Sequence, residues 1–498
     1  MFWAFLFDKY ITERKKVMGI ETAVKEDVKQ GGHSYGLKSG ALSPWETLGQ
    51  SVANIAPTAT PTVVIPLVFA VSGGATWLAY LISTISILFV AASINQFARR
   101  SASPGSFYSY TITGLGPFWG AVTGFALLIA YIGCASAVTT GFSNYANVFL
   151  GEVFHGFKIP PVILIGISVF AAWYVAYKDI KLSTRLSLAF EFASVSLILL
   201  LVGVTLYRFG WKLDLDQLTL KGTSLDALRG GLVLAIFSFT GFESAATLGS
   251  EAKNPLKSIP RAIVRSAVIV GALFVIASYA QVIGFQGYSE TLDKSTAPLN
   301  VLANRAGLSS IGLLIDLGAI ISFFACVLAS INAGARILFL MGRHGVFHAS
   351  TGDAHHKNAT PHIAVSIASV LAFIPAAILS VRGAVDFDIY GWVGTIATFG
   401  FIVAYIAISV AAPVYLKRRG ELKAQHIIFS TIAIISLVVA TIGNIYPVPS
   451  YPYNILPYIF LGLLLAGVAW IGYIYKIQPK VIEDIREDAL AISARFSG

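Results

Sequence analysis

Apolar runs of about 20 residues alternate with short polar connections along nearly the whole chain. At 1.5 Å rise per residue, such a run matches the ~30 Å hydrocarbon core of a bilayer. Twelve are expected to be membrane-spanning helices: 47–71, 73–98, 117–148, 160–177, 183–207, 228–249, 261–286, 309–340, 363–381, 389–415, 424–443 and 454–475. Those longer than ~25 residues fit a tilted helix or one extending past the bilayer. The remainder divides into a polar tail over 1–43, a core over 44–415, helices 11 and 12 over 416–475, and a second tail over 476–498.

Two of the runs carry breaks. The first reads GQSVANIAPTATPTVVIPLVFAV, with Pro57 and Pro61 inside it. Proline removes a backbone donor and clashes with the carbonyl four residues back, so Pro57 is expected to orphan the carbonyl of Ala53. Thr60-Pro61 then reads as a new helix start, with threonine as N-cap and proline at the first helical position. Half-helices are expected over 47–55 and 61–71. Between them the small residues Ala56, Thr58 and Ala59 let a ligand approach the backbone. The second half-helix would offer N–H groups, near 59–62, and the positive end of its dipole; the first would offer carbonyls. An α-amino acid carries the matching pair of charges. The plainer alternative is a proline kink rescued by neighbouring helices.

The second broken run reads GLVLAIFSFTGFESAATLGSEAKNP, interrupted at Gly241. Thr240 and Glu243 have the spacing of a capping box, which would restart a half-helix there. Glu243 is also a carboxylate at membrane depth, and so a functional candidate. Its bland role is to cap the broken helix. Its sharper role is a proton-coupled switch or a partner for a substrate ammonium.

The two breaks lie about 185 residues apart, and the later spans repeat at similar offsets. Five spans per repeat is an odd number, so the second set enters from the opposite side. This gives an inverted repeat, 44–210 and 226–415, each half led by a broken helix. That is the pattern of a secondary transporter with its site near the midplane. The halves share no visible sequence identity, so the inference rests on hydropathy and break positions.

Composition agrees. Of 498 residues 56% are hydrophobic and 12% charged, about half the charged share of a soluble domain, which excludes a string of soluble domains. The net charge of +10 raises the question of nucleic acid. With the N-terminus cytoplasmic, however, 27 of the 35 Lys and Arg fall in cytoplasmic segments. The positive-inside rule therefore accounts for the charge, puts both termini in the cytoplasm and removes the nucleic-acid reading. The N-terminal charges follow rather than precede the short apolar stretch, so no signal peptide is read. Cys134 and Cys326 lie in apolar runs and are expected to be free and buried.

Glu191, in the fifth span, is a candidate proton relay or a bond to a neighbouring helix. Ser322, in the eighth, is a possible cation-site hydroxyl, or a small packing residue. Proton coupling or exchange is favoured over sodium. Asp316 lies in the outer part of the eighth span, and Arg336, near its inner end, is expected to snorkel to the surface. His344, His348, Asp353, His355 and His356 read as a solvated loop rather than a metal site. No Walker loop and no catalytic constellation occurs, so neither an ATP-driven pump nor an enzyme is read, and no metal or cofactor is expected.

Four stretches carry a resemblance. FSFTGFESAATLGSEAKNPLKSIPRAI, residues 237–263, resembles the broken sixth helix and following loop of amino acid–polyamine–organocation superfamily permeases. ASINAGARILFLMGRHGVF resembles their eighth helix, GTIATFGFIVAYIAISVAAPVYLKRR their tenth, and RRSASPGSFYSYT the loop after their second. The matches span 47–420 in the right order. The resemblance implies an all-α membrane protein of LeuT-like fold: two inverted five-helix repeats plus two helices, with helices 1 and 6 broken. It also implies alternating access, with the substrate held by the unwound segments. Carried onto this chain, these are Ala56, Pro57, Thr58, Ala59 and Thr60, and Phe239, Thr240, Gly241 and Phe242. Many members carry a Gly-Ser/Ala-Gly-type run in helix 1 where this chain has Ala-Pro-Thr-Ala-Thr, so substrate preference is not carried over. The implied function is a cytoplasmic-membrane permease for amino acids or related amines. Phe239 and Phe242 would act as gates or stack on a cationic substrate. A polyamine or organic-cation carrier is the alternative within transport, though only Glu243 offers an anionic pocket. A transport-inactive nutrient sensor is the alternative outside it, disfavoured by the short C-terminal tail.

Overall fold

The computed structural model describes residues 35–209, 213–295 and 297–495. Residues 1–34 of the expected N-terminal tail lie outside them. The apolar runs are helices: α1 (Pro44–Ile55), a π-helical turn (Thr60–Val64), α2 (Ile65–Ser72), α3 (Thr76–Ala98), α4 (Phe107–Leu115), α5 (Pro117–Val153), α6 (Pro161–Lys178), α7 (Ile180–Phe209) and α8 (Leu225–Phe237). Then follow α9 (Pro255–Phe285), α10 (Pro298–Arg305), α11 (Ser309–Arg343), α12 (His362–Val381), α13 (Asp386–Arg418), α14 (Ala424–Gly443), α15 (Leu456–Ile477) and α16 (Lys480–Arg495). The described residues form no strand, only an isolated bridge between Leu42 and Ala252.

Ten helical runs among the described residues are long and apolar enough to cross a membrane. The first, Pro44–Ala98, has 55 residues and holds α1, α2 and α3. At 1.5 Å per residue it is about 80 Å long, far more than one crossing needs. A 3₁₀ turn at Gly73–Ala75 interrupts it, and Gly73 there has φ +53°, a conformation that disfavours side chains. The expected sixth span is absent from the ten because its helix, α8, stops after 13 residues.

Burial separates the helices into an interior and a shell. α5 packs against both α11 and α13 at the centre, whereas α6, α12, α14 and α15 turn large apolar side chains outward. Phe170, Val370, Ile435 and Leu465 are each more than half exposed. Such an apolar belt is unfavourable in water and fits a hydrocarbon surround. The chain is a multi-pass membrane protein. At the centre α5 and α13 approach closely: a β-carbon at Gly400 would lie 2.5 Å from the Ala126 carbonyl oxygen.

Arg336 departs from expectation. It does not snorkel; it is 1% exposed and forms a two-bond pair with Glu251, Nε to Oε2 at 2.6 Å and Nη2 to Oε1 at 2.9 Å. Its Nη1 donates to the Asn332 carbonyl at 2.8 Å. A carboxylate buried beside it satisfies the guanidinium better than a stretch to the surface would.

Candidate functional site

The first break begins where α1 ends at Ile55. Ala56 is left-handed, with φ 51°, and its N–H donates to the Ala53 carbonyl at 3.1 Å. The Ala53 carbonyl is therefore satisfied, not orphaned as Pro57 led us to expect. Helical structure resumes at Thr60, one residue before the expected restart, through a π turn in which the Ile65 N–H reaches the Thr60 carbonyl. The residue before that turn, Ala59, has no side-chain cap. The Thr60 hydroxyl does not cap it either. It is the Thr62 hydroxyl that bonds locally, to the carbonyls of Thr58 at 2.9 Å and Ala59 at 3.0 Å. Of the N–H groups expected to face a ligand, that of Ala59 donates to Ala56 at 2.9 Å and that of Thr62 to Thr58 at 3.3 Å. Pro61 has none. The joint is thus tighter than two clean half-helices.

α5 and α9 hold the far side of this break. Tyr145 donates to the Thr62 carbonyl at 3.3 Å and Gln281 to the Pro61 carbonyl at 3.0 Å. These bonds serve carbonyls near the prolines that bend the chain.

The second break follows α8. Consecutive turns run from Ser238 to Glu243, then a 3₁₀ helix from Ser244 to Leu248. The expected capping box is not formed. The Thr240 hydroxyl donates to the Phe237 carbonyl at 2.9 Å, and Glu243, which precedes the 3₁₀ helix, makes no side-chain cap. Its carboxylate is taken by stronger donors instead: Tyr131 of α5 to Oε1 at 2.7 Å and Tyr405 of α13 to Oε2 at 2.6 Å. The Gly241 N–H donates to the same Tyr405 oxygen at 3.3 Å. Glu243 is fully buried between the two phenols.

The breaks face each other. Gly241 packs against Asn54, the penultimate residue of α1, leaving no room for a β-carbon. Lower down, the Ser244 hydroxyl donates to the Gln50 carbonyl at 3.1 Å, and the Ala245 N–H to the Ser51 hydroxyl at 3.1 Å. A cavity of ≈ 20 Å³ lies between them, lined by Asn54, Ala56, Thr60, Cys134, Thr240, Cys326 and Tyr390 among others. That holds about one water, so any organic molecule requires the helices to part. The Asn54 amide nitrogen and the Thr58 hydroxyl are buried with no partner among the described residues.

Of the nine residues singled out around the breaks, Ala56, Thr60 and Thr240 line the cavity. Pro57, Thr58 and Ala59 are buried beside it. The two aromatics turn away: Phe239 packs edge-on to Phe274, and Phe242 edge-on to Tyr405. Sequence reasoning missed Asn54, Tyr131, Tyr390 and Tyr405. Asn54 carried a usable signal, as an amide three residues before the first proline in an apolar run. Cys134 and Cys326 are free and buried, and both line this cavity.

Glu191 and Ser322, proposed for separate roles, meet. The Ser322 hydroxyl donates to Glu191 Oε1 at 2.7 Å, joining α7 to α11. Glu191 Oε2 is buried with no partner among the described residues. In the loop after α11, His355 Nδ1 accepts the N–H groups of Lys357 and Asn358, a turn-forming role.

Residues 48–483 match the family profile of amino acid permeases. The chain is similar to the branched-chain amino acid permease BcaP of Bacillus subtilis (strain 168), 23% identical over 368 residues, 69% of this chain and 74% of that protein. It is 27% identical over 365 residues to the low-affinity putrescine importer PlaP of Escherichia coli (strain K12), covering 70% of this chain and 75% of the importer. Cationic amino acid transporter 4 of Mus musculus is 23% identical over 354 residues, 68% of this chain and 54% of that protein.

Proposed function

Since the chain belongs to the amino acid permease family, we propose that it is a secondary active transporter of amino acids or related amines, working by alternating access in a cytoplasmic membrane. The observation that carries this reading is the apposition of Gly241 and Asn54, which brings two helix breaks together over one buried cavity. Backbone groups released at 56–60 and 239–242 would hold the substrate's carboxylate and ammonium once the helices part.

The architecture in this proposal is a LeuT-like pair of inverted repeats, 44–210 and 226–415, followed by helices 11 and 12. Pro44–Ala98 then makes two crossings hinged at Gly73–Ala75, and α8 with its following turns makes one more, giving twelve. An even number returns the C-terminus to the side of the N-terminus, and the Lys and Arg distribution supports the cytoplasm.

For coupling we assign Glu243. Between two phenols, a neutral carboxyl must donate one of the hydrogen bonds that the anion accepts. Gaining or losing a proton therefore reorients Tyr131 or Tyr405 and with them the Gly241 N–H. Glu191, with one bare oxygen beside Ser322, is the second candidate, for a proton or a monovalent cation. A polyamine-carrier reading is favoured by the 27% identity to a protein named as a putrescine importer. Glu243 would then receive an ammonium.

Proteoliposomes of the purified full chain test this. Labelled leucine, lysine and 1,4-diaminobutane are offered with an inward proton gradient, an inward sodium gradient, or none. Accumulation driven by the proton gradient is expected for at least one of them. Failure to take up or exchange any of the three would sink the transport reading.

A further inference from the structure

A second group of polar side chains lies at the end of the bundle where α5 finishes and α11 begins. The Asn300 amide nitrogen, on the short helix α10, donates to Glu152 Oε1 at 2.9 Å and to Asp316 Oδ2 at 2.9 Å. Its Oδ1 accepts from Asn304 at 3.1 Å. Glu152 is exposed, while Asn300 and Asp316 are 8% and 1% exposed, so the group leads from surface to interior. Neither carboxylate has an ion-pair partner among the described residues.

The other oxygen of Asp316 points to a ligand. Oδ1 is buried and has no hydrogen-bond partner among the described residues. Leaving a charged acceptor bare costs more than leaving a neutral one bare. The nearest arginine of α10 does not serve it: Arg305 donates to the carbonyls of Gly284 and Gln286 and lies over the rings of Phe209 and Tyr288. One amide nitrogen, 2.9 Å from each of two carboxylates, stands where a primary ammonium would stand. An ammonium brings three donors and a positive charge, enough for Glu152 and both oxygens of Asp316.

We propose that Glu152 and Asp316 form a binding site for a primary alkylammonium group, with the Asn300 amide as its placeholder. Entry of the ammonium displaces that amide and frees α10 from both carboxylates. α10 also packs against the Thr60–Val64 turn that follows the first break. Occupancy of this outer group therefore loosens one cover of the central cavity, and cationic amines gain a route that a zwitterion, repelled through its own carboxylate, does not share. That last step rests on the transport reading above; the binding site itself does not.

Equilibrium dialysis of labelled 1,4-diaminobutane against the purified full chain in detergent, at fixed ionic strength, reads the site directly. Saturable binding is expected. Glu152→Gln and Asp316→Asn should each weaken it at least tenfold while the thermal midpoint stays within a few degrees. Asn300→Ser, which removes the placeholder, should tighten it several-fold. Choline, a quaternary ammonium without N–H donors, should not compete. No saturable binding, unchanged affinity in either acid variant, or competition by choline equal to that of unlabelled diamine would overturn the proposal. Diamine binding in a chain that transports nothing would leave this site standing and remove only the transport reading. Uptake of leucine without diamine binding would do the reverse.

Discussion

A β-carbon built on Gly241, where φ is +90°, would lie 1.8 Å from Asn54 Nδ2 and 3.0 Å from the Asn54 carbonyl oxygen. To relieve the overlap the Asn54 amide must swing away from the Ser330 hydroxyl, which donates to its Oδ1 at 2.9 Å, and the φ itself is strained for any side chain. Gly241→Ala is therefore expected to lower stability by ~1–3 kcal/mol and to abolish uptake in proteoliposomes. Adding Asn54→Ala should recover part of the thermal midpoint, because it removes the nearer clash but neither the carbonyl nor the φ strain. Full uptake by Gly241→Ala alone would show that the breaks need not touch.

The Arg336–Glu251 pair gives a sharper stability test. Both side chains are essentially unexposed. Removing one partner leaves a charge buried alone, which costs ~3–5 kcal/mol, whereas an apolar pair of similar volume is often tolerated. Arg336→Met and Glu251→Leu should each unfold at much lower temperature in detergent, and the double variant should recover most of the loss. If the double variant is as unstable as the sum of the singles, the two residues are not coupled.

Asp179, in the connection between α6 and α7, supplies a pH prediction outside the membrane-spanning segments. Burial alone would raise its carboxyl, but the Lys38 ammonium at 3.1 Å and the Lys181 N–H at 2.7 Å outweigh that and hold it below the usual aspartate range. A depressed folded-state value means stabilisation that is fully present above the ordinary value of ~4 and lost as pH falls through the lower one. Asp179→Asn should therefore narrow the difference in thermal midpoint from wild type as pH falls from 5 to 2. The effect at pH 7 should stay below ~1 kcal/mol, because the pair is more than a third exposed on each side. Salt at 1 M should shrink it further.

Hydropathy made the helices legible because it sums over twenty residues, so single errors cancel. The break at Ala56–Thr60 was legible because proline acts on its own neighbours. Its details were not. The carbonyls of Thr62 and Pro61 there are served by Tyr145 and Gln281, carried by α5 and α9. The site pairs were illegible for the same reason. Tyr131 and Glu243 are 112 residues apart, Tyr405 and Glu243 162, Ser322 and Glu191 131. Local spacing favoured a Thr240–Glu243 capping box, but two phenol donors from other helices outcompeted it. Arg336 likewise looked like a snorkelling end residue because Glu251, its partner, sits 85 residues away.

Glu191 and Ser322 separate proton from sodium coupling. Ser322→Ala removes the hydrogen bond to Glu191 Oε1 and leaves both oxygens without a partner among the described residues. If the carboxyl works as a proton site, uptake should persist at reduced rate with choline replacing sodium, and its pH profile should move. If the pair were a sodium site, the variant would show a rise in the sodium concentration needed for half-maximal uptake. Initial rates against pH and against sodium, measured on the same vesicles, decide between them.

Glu243 carries the most specific prediction. As an anion it accepts from both Tyr131 and Tyr405, and as a neutral acid it can accept from only one while donating to the other. Glu243→Gln fixes a neutral group that always holds a donor, so it mimics the protonated state at every pH. Uptake by this variant should lose its dependence on a proton gradient, while exchange of internal for external substrate continues, because exchange needs no net proton movement. Tyr131→Phe and Tyr405→Phe each remove one donor to a buried carboxylate, a loss of ~1–3 kcal/mol for the anion. Each should therefore lower the rate of proton-driven uptake while exchange is less affected. Tyr405→Phe should have the larger effect on rate, because that hydroxyl also holds the Gly241 N–H at the second break. A Glu243→Gln protein that still concentrates substrate on a proton gradient would move the coupling role to another group, with Glu191 next to be tested.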